Sequence, residues 1–334
     1  MTEKNDDTYT VRLLRSEDAA GVTQCFIEAF GHSYPTAYLY DPQRIAELNR
    51  DGRLISAVAV SNLTGEVVAH CSVQRYGSSS NAECGQGVVA HAHRGGALTG
   101  RLLELLNHEA LRAGLRRLMG HEVTNHPAMQ LMTSRDNYKP CALALGAMPA
   151  ETAFKKMTET LPQRESCTVS MKFLIPPEAA VACVPSHHRT MLERIYASIG
   201  RPVVFEDLPA FSRPGETTIQ SNPHWGIADI QVRRIGTDTL KSIRRCLSDL
   251  CETNTEIVYL ELPLDQGGIE DVCRAAEADG FFFAGLSPSS VTDGESLFLQ
   301  YLNTKIDMSH LRIATPMGKE IFDYVARERQ RVQR

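Results

Sequence analysis

The sequence predicts an α/β (α+β) protein of two domains, each a mixed central β-sheet flanked by helices. Three observations lead there. The chain has 334 residues, which at roughly 100–200 residues per domain is two units, either one long enough to bury a core. Short β-rich runs alternate with segments of helical periodicity along its length. Part of the order of these segments in the first half recurs in the second, without a repeat of the residues themselves.

Taken in order, a strand at 11–14 precedes a helix opened by Ser16, Glu17 and Asp18. Ser16 is placed to accept from the first helical amides, and the two acids complement the helix N-terminus. Val22, Phe26, Ala29 and Phe30 then recur at helical spacing. An aromatic-rich stretch at 31–40 leads into a helix at 42–52. β-rich runs at 54–60 and 67–74 are joined by Asn62-Leu63-Thr64-Gly65, a good hairpin turn. A strand at 83–90 runs into a glycine-bearing loop and a helix at 98–113. A strand at 118–123, a helical stretch at 127–135 and β segments at 141–154 and 167–175 complete a first domain, 1–176, closed by Pro176-Pro177. The second domain, 177–334, reads as a helix at 189–199, strands at 217–221 and 226–233, a helix at 237–251, a strand at 256–262 and a helix at 269–278. Strands at 281–286 and 297–302 then flank Asp293-Gly294.

Composition narrows the function classes. The chain is 43% hydrophobic and 22% charged, with a net charge of −5. No run approaches the about 20 apolar residues of a membrane helix, and the opening MTEKNDDTYT is polar, so a cytoplasmic protein with no membrane partner is expected. Its nine cysteines are an odd, scattered set without a C-x-x-C pair, which fits neither a disulfide framework nor a zinc module. The acidic balance and the lack of a Lys/Arg block argue against nucleic acid. A small-molecule substrate is the default.

Val88 and Val89 end an apolar strand, and Arg94-Gly95-Gly96-Ala97-Leu98-Thr99 carries the chain into an apolar-faced helix. Free amides at such a helix start, beside small side chains, make an anion site. A plain strand-to-helix turn is the alternative reading of the glycines alone. In its context the segment resembles the signature of the GCN5-related N-acetyltransferases (GNATs), a hydrophobic strand followed by Gln/Arg-x-x-Gly-x-Gly/Ala and a Leu-Leu helix. Val11-Arg12 with Glu17-Asp18, the strand start at Gly65 to His70 and the turn Asn125-His126-Pro127-Ala128 match the same family in order and distance. The resemblance covers residues 9 to about 175 and is closest to a bacterial tandem-GNAT group. It implies an acyl-CoA-dependent N-acyltransferase in which 94–99 hold the CoA pyrophosphate, Val88 and Val89 flank the cofactor, and Asn125 contacts the pantetheine arm; a turn-capping Asn125 is the alternative. The cosubstrate is acetyl-CoA or another acyl-CoA, and the acceptor an amine on a small molecule or peptide. Ala97 and Thr99 stand where the signature has glycines, and Met132 or Thr133 where family members often carry a tyrosine that protonates the departing thiolate. Tyr138 aligns better with the apolar residue that starts the next strand.

Direct transfer needs a deprotonated amine, and a general base is worth roughly 100- to 10,000-fold. Glu83 is the favoured base, because histone-type members carry their glutamate near this strand start. Alternation would put it on one face with Gly85, Gly87 and Val89; a solvated strand-end carboxylate is the other reading. Glu122, acting through water in such a role, is the second candidate. His32, Tyr34, Tyr38 and Tyr40 lie on the helix–helix connection that forms the acceptor wall in the family, although aromatics there also serve as core. No metal is expected. His91 and His93 lack further ligands at useful spacing, His121 to His126 misses the H-E-x-x-H spacing, and His187-His188 caps or precedes a helix. The second half, whose loop 232–238 has one glycine and an Asp238 that would repel phosphate, reads as a degenerate GNAT-like partner that shapes the acceptor cleft or an oligomer interface such as a homodimer's. Its Trp225 reads as a packing anchor. A non-catalytic acyl-CoA-binding regulator is the alternative function, and a longer-chain acyltransferase a third.

Overall fold

The computed structural model describes residues 8–75, 79–150, 163–288 and 294–333. The chain divides into two compact units, one built on Met1–Gly120 and the other on His121–Ala150 and Leu161–Arg334.

In the first unit, β1 (Tyr9–Leu13), β2 (Leu54–Ser61), β3 (Val67–Arg75) and β4 (Asn81–Val89) form an antiparallel run. The β2–β3 hairpin closes at the turn the sequence marks, where Gly65 takes φ +73°. β5 (Arg117–Val123) pairs with β4 in parallel, but only over Asn81–Glu83 against Arg117–Met119. α1 (Ala19–Phe30) buries Val22, Cys25, Phe26, Ala29 and Phe30, the stripe its periodicity implies. Its start differs from expectation: Ser16 makes no cap. Asp18 takes that place, accepting from the Arg15 amide at 2.7 Å and pairing with Arg12 at 2.5 and 2.9 Å. A carboxylate tied to an arginine outcompetes a neutral hydroxyl for the chain entry. α2 (Pro42–Arg50) has Asp41 as its cap and Pro at its first position. α3 (Leu98–Arg112) buries Leu98, Leu102, Leu103, Leu106 and Ala110.

The second unit takes in the end of β5, α4 (Ala128–Arg135), β6 (Lys139–Met148) and β7 (Glu165–Phe173). The part of the expected 141–154 segment beyond residue 150 lies outside the described residues. Then come β8 (Ala180–Ala182), α5 (Arg189–Ile199), β9 (Val203–Phe205), β10 (Glu216–Asn222), β11 (Ile227–Arg234), α6 (Thr239–Glu252), β12 (Ile257–Pro263), α7 (Ile269–Ala278), β13 (Phe282–Pro288), β14 (Glu295–Leu302) and α8 (Pro316–Val332). Its strands run β7-β6-β13-β14-β12-β11-β10. β11 and β12 are parallel, whereas β12–β14 and β13–β14 are antiparallel. That pattern repeats the first half: a parallel pair joined by a helix (β4-α3-β5, β11-α6-β12), then a helix and an antiparallel hairpin (α4-β6-β7, α7-β13-β14). The structural duplication is thus visible in connectivity. At Gly285, φ is +146° and an added Cβ would sit 2.3 Å from the Cys141 carbonyl, so only glycine lets β13 approach β6 here.

Candidate acyl-transfer site

β4 leaves the sheet through a 3-10 turn, His91–His93, and the chain then crosses Arg94 to Ala97 before α3 begins. No side chain caps α3. Among the described residues, the amides of 95–100 donate to no backbone carbonyl, the first intrahelical bond being Arg101 N to Ala97 O at 3.0 Å. Gly95, Gly96 and Ala97 are exposed. A Cβ added at Gly95, Gly96 or Gly100 would meet nothing within 4 Å, and Gly95 holds φ +85°. A string of unspent N–H groups at the positive end of a 15-residue helix, with open space before it, suits an anion. Arg94 braces the loop by donating from Nε to Val89 O at 3.0 Å. Val88 is buried in the sheet and Val89 half-buried. His93 accepts or donates at Nδ1 to the Tyr9 hydroxyl, 2.8 Å away, so it is tied into the fold.

β4 itself is kinked, a feature the sequence did not announce. Gln86 has φ +50°, and the β3–β4 register shifts between His70 and Ser72. A positive φ at a non-glycine residue persists only when neighbours hold it. Here Ser72 Oγ donates to Gln86 Oε1 at 2.7 Å, and His70 Nδ1 sits 2.9 Å from Gln86 O. Burial pushes the His70 pKa down to about 4, so the ring is neutral and Nδ1–H donates to the carbonyl. Its Nε2 is buried with no partner among the described residues. Beyond the three-residue ladder with β5, that edge of β4 has no partner strand among the described residues.

Glu83, Gly85, Gly87 and Val89 do take the less buried face of β4, and Glu83 Oε1 lies 3.6 Å from where a Gly85 Cβ would be. Tyr38 donates to Gln74 Oε1 at 3.2 Å, and Gln74 is the cross-strand neighbour of Glu83. Burial first, then the charge of Glu83, raises the Tyr38 pKa, which keeps its hydroxyl protonated. The other aromatics of the connection divide. Tyr34 packs on Phe26 and Phe30 with centroids 5.0 and 4.7 Å away. Tyr40 accepts the Tyr34 amide at 2.9 Å and lies beside His32, which is exposed. Tyr38 is the one placed next to the candidate base.

In the second unit, Glu122 is only 3% exposed. Ser170 and Thr168 donate to its two oxygens, the latter at 3.1 Å. Burial raises its pKa, against the pull of hydrogen bonds from Ser170, Thr133 and Thr168. Such a carboxyl is a tie between β5, β7 and α4. Asn125 is buried, and its Oδ1 has no partner among the described residues, which leaves an acceptor for a ligand N–H. Thr133 is turned inward, donating to Met129 O at 3.0 Å, and Tyr138 is buried with Lys172 over its ring.

The corresponding loop of the second half is filled by the chain itself. Thr237 N donates to Arg213 O, Gly236 N to Thr239 Oγ1, and Ile235 N to Gln266 Oε1. Asp238 accepts the Gly215 amide at 2.6 Å. A Cβ at Gly236 would lie 2.3 Å from Gly215 N and 2.4 Å from Arg213 O.

Solved acetyltransferases, one of them described as a member of the GNAT superfamily, align with about half of this chain. An N-acetyltransferase from Staphylococcus aureus Mu50 is 17% identical, aligned over 51% of this chain and 100% of its own, with a TM-score of 0.40. The ribosomal-protein-S18-alanine N-acetyltransferase of Escherichia coli is 17% identical over 50% and 94%, at 0.40. A GNAT-superfamily phosphinothricin acetyltransferase from Sinorhizobium meliloti, solved with acetyl-CoA, is 15% identical over 50% and 88%, at 0.39. The likeness is one of fold. No protein-family model and no curated protein matches the chain.

Proposed function

We propose that the protein is an acyl-CoA-dependent N-acetyltransferase acting on an amine of a small molecule or peptide. The observation that carries the reading is the open loop 94–99, whose amides from Gly95 onward donate to no backbone carbonyl among the described residues at the head of α3. There Gly95, Gly96, Ala97, Leu98 and Thr99 would hold the pyrophosphate, with Arg94 bracing the loop. The bare edge of β4 up to Val88 and Val89 offers backbone groups to an extended pantetheine arm, as an added strand would use them. Asn125, with its orphaned acceptor, is the side chain for an amide of that arm. The acyl-CoA supplies the activated thioester.

Glu83 is the base that takes the amine proton, since Glu122 is buried and committed to the Ser170 and Thr168 hydroxyls. Tyr38, held protonated beside Glu83 and donating to Gln74, offers its oxygen to accept from the incoming amine; His32, Tyr34 and Tyr40 shape the wall around it. The second half, 177–334, serves as a degenerate GNAT-like partner to a catalytic first half, 1–176. Its filled loop 213–215 and Asp238 leave no room for pyrophosphate.

Acetyl-CoA binding by calorimetry, with CoA release over a panel of amines, tests the reading. Micromolar binding and turnover on at least one amine are expected. Tight binding without turnover on any amine would favour an acyl-CoA-binding regulator; turnover confined to longer acyl chains would shift the acyl class. Absence of binding removes the assignment altogether.

A further inference from the structure

We propose that the second unit binds a divalent cation of the zinc type through His187, His188, Cys273 and Glu277. One ligand atom from each lies within 4.8 Å of all the others. Tetrahedral zinc, with bonds of about 2.0–2.3 Å, needs ligand atoms about 3.3–3.8 Å apart, so small rotations of the side chains close the shell. The four come from two rigid places. Cys273 and Glu277 are one helical turn apart on α7, on one face. The histidines are consecutive at the entry to α5, where His188 is the N-cap residue. His188, Cys273 and Glu277 are buried, and His187 opens to solvent, so the site has an entry path.

Hydrogen-bond polarity is the second argument. Tyr324 donates its hydroxyl proton to His187 O at 3.1 Å. With that proton spent, its oxygen is free to accept from His188 Nδ1, 2.8 Å away. In that arrangement His188 carries its proton on Nδ1 and a lone pair on Nε2. Yet Nε2 faces Glu277 Oε1 at 2.9 Å, and His187 Nε2 faces the same oxygen at 3.0 Å. A lone pair set against a carboxylate oxygen is an opposition that an ion coordinated by both atoms removes. The Nδ1–H to tyrosine contact is the outer support that orients a ligating imidazole. The donor set, two imidazoles, a thiolate and a carboxylate, matches the borderline softness of zinc, and its two negative charges balance the ion. Arg331 also reaches Glu277 Oε1 at 2.6 Å while held by Glu328, so an incoming ion competes with it for that oxygen.

The test is a cobalt titration of the untagged full chain after chelation. Expected are a stoichiometric set of tetrahedral visible bands and a thiolate-to-cobalt charge-transfer band in the near ultraviolet, both bleached by zinc. Cys273→Ser should abolish the charge-transfer band, and Glu277→Gln should weaken binding at least tenfold. Should either variant fail to fold, zinc must still raise the melting temperature of the unaltered chain, reversibly with chelator. The proposal is overturned if the unaltered chain shows no stoichiometric band at tenfold excess cobalt, or if folded Cys273→Ser keeps it. In either case the cluster is a set of histidine–carboxylate hydrogen bonds on Glu277.

Discussion

Replacing Gly96 by aspartate puts one negative charge where the loop is proposed to meet two phosphates. The position isolates charge from packing. Gly96 is exposed, its φ is ordinary, and an added Cβ meets nothing within 4 Å, so Gly96→Ala should bind acetyl-CoA within about twofold of the unaltered protein. A carboxylate about 6 Å from a phosphate charge is repelled by about 0.7 kcal/mol at the dielectric of water and about 2.8 kcal/mol at an effective value of 20. A tenfold loss, about 1.4 kcal/mol, lies within that range. Calorimetric titration of the two variants, with circular dichroism to establish folding, measures it. The deficit of Gly96→Asp should shrink as salt is raised to 0.5 M, because exposed charges are then screened within a few ångströms. A folded Gly96→Asp variant that binds within twofold of Gly96→Ala would take the pyrophosphate away from this loop.

Three further outcomes follow from the same geometry. Glu83→Gln keeps the shape but cannot take a proton, so turnover should fall by roughly 100-fold or more with acetyl-CoA affinity unchanged, most severely at low pH; near-normal rates from pH 6 to 9 would leave Glu83 a surface carboxylate. Asp18→Asn breaks the tie to Arg12 and should cost about 1–3 kcal/mol by urea unfolding. Because the pair lowers the Asp18 pKa from 3.8, its contribution is present above that value and is lost as pH falls through the lowered one, so the variant should narrow its deficit in acid. Glu122 runs the other way: burial raises its pKa above 4.5, so the native state holds its proton more tightly and stability declines as pH rises from 4.5 through the raised value. Glu122→Gln should flatten that decline in thermal melts between pH 4.5 and 8, and an unchanged slope would count against it.

What the sequence disclosed was local. α5 and α7 begin and end where their apolar spacing places them, and the strand-to-helix loop at 94–97 was legible because a strand, two glycines and a helix start sit within a dozen residues. β8 and β9, three residues each, are too short to show alternation. α8 carried signals that went unread, Thr315 as cap and Pro316 at its first position. What stayed hidden depends on distant partners. Ser16 looked like a cap until Arg12 claimed Asp18. Glu122 looked like a free base until Thr168 and Ser170 surrounded it. The kink at Gln86 is held from another strand by His70 and Ser72. His187 and Glu277 are 90 positions apart in sequence, so the expectation of no metal could not weigh them together.

The filled loop of the second half shows how a strand-to-helix turn is closed to ligands by its own main chain. Its single glycine at 236 is not a remnant awaiting its missing companions. The backbone of Arg213 to Gly215 lies against it, so closely that no side chain fits. At Gly236 the missing side chain lets the protein approach itself. Added glycines in this loop would therefore not make room for an anion, since the obstruction is a main-chain segment rather than a side chain. Shortening the 213–215 stretch would open the space, at the expense of the hydrogen bonds that Arg213 and Gly215 make beside α6.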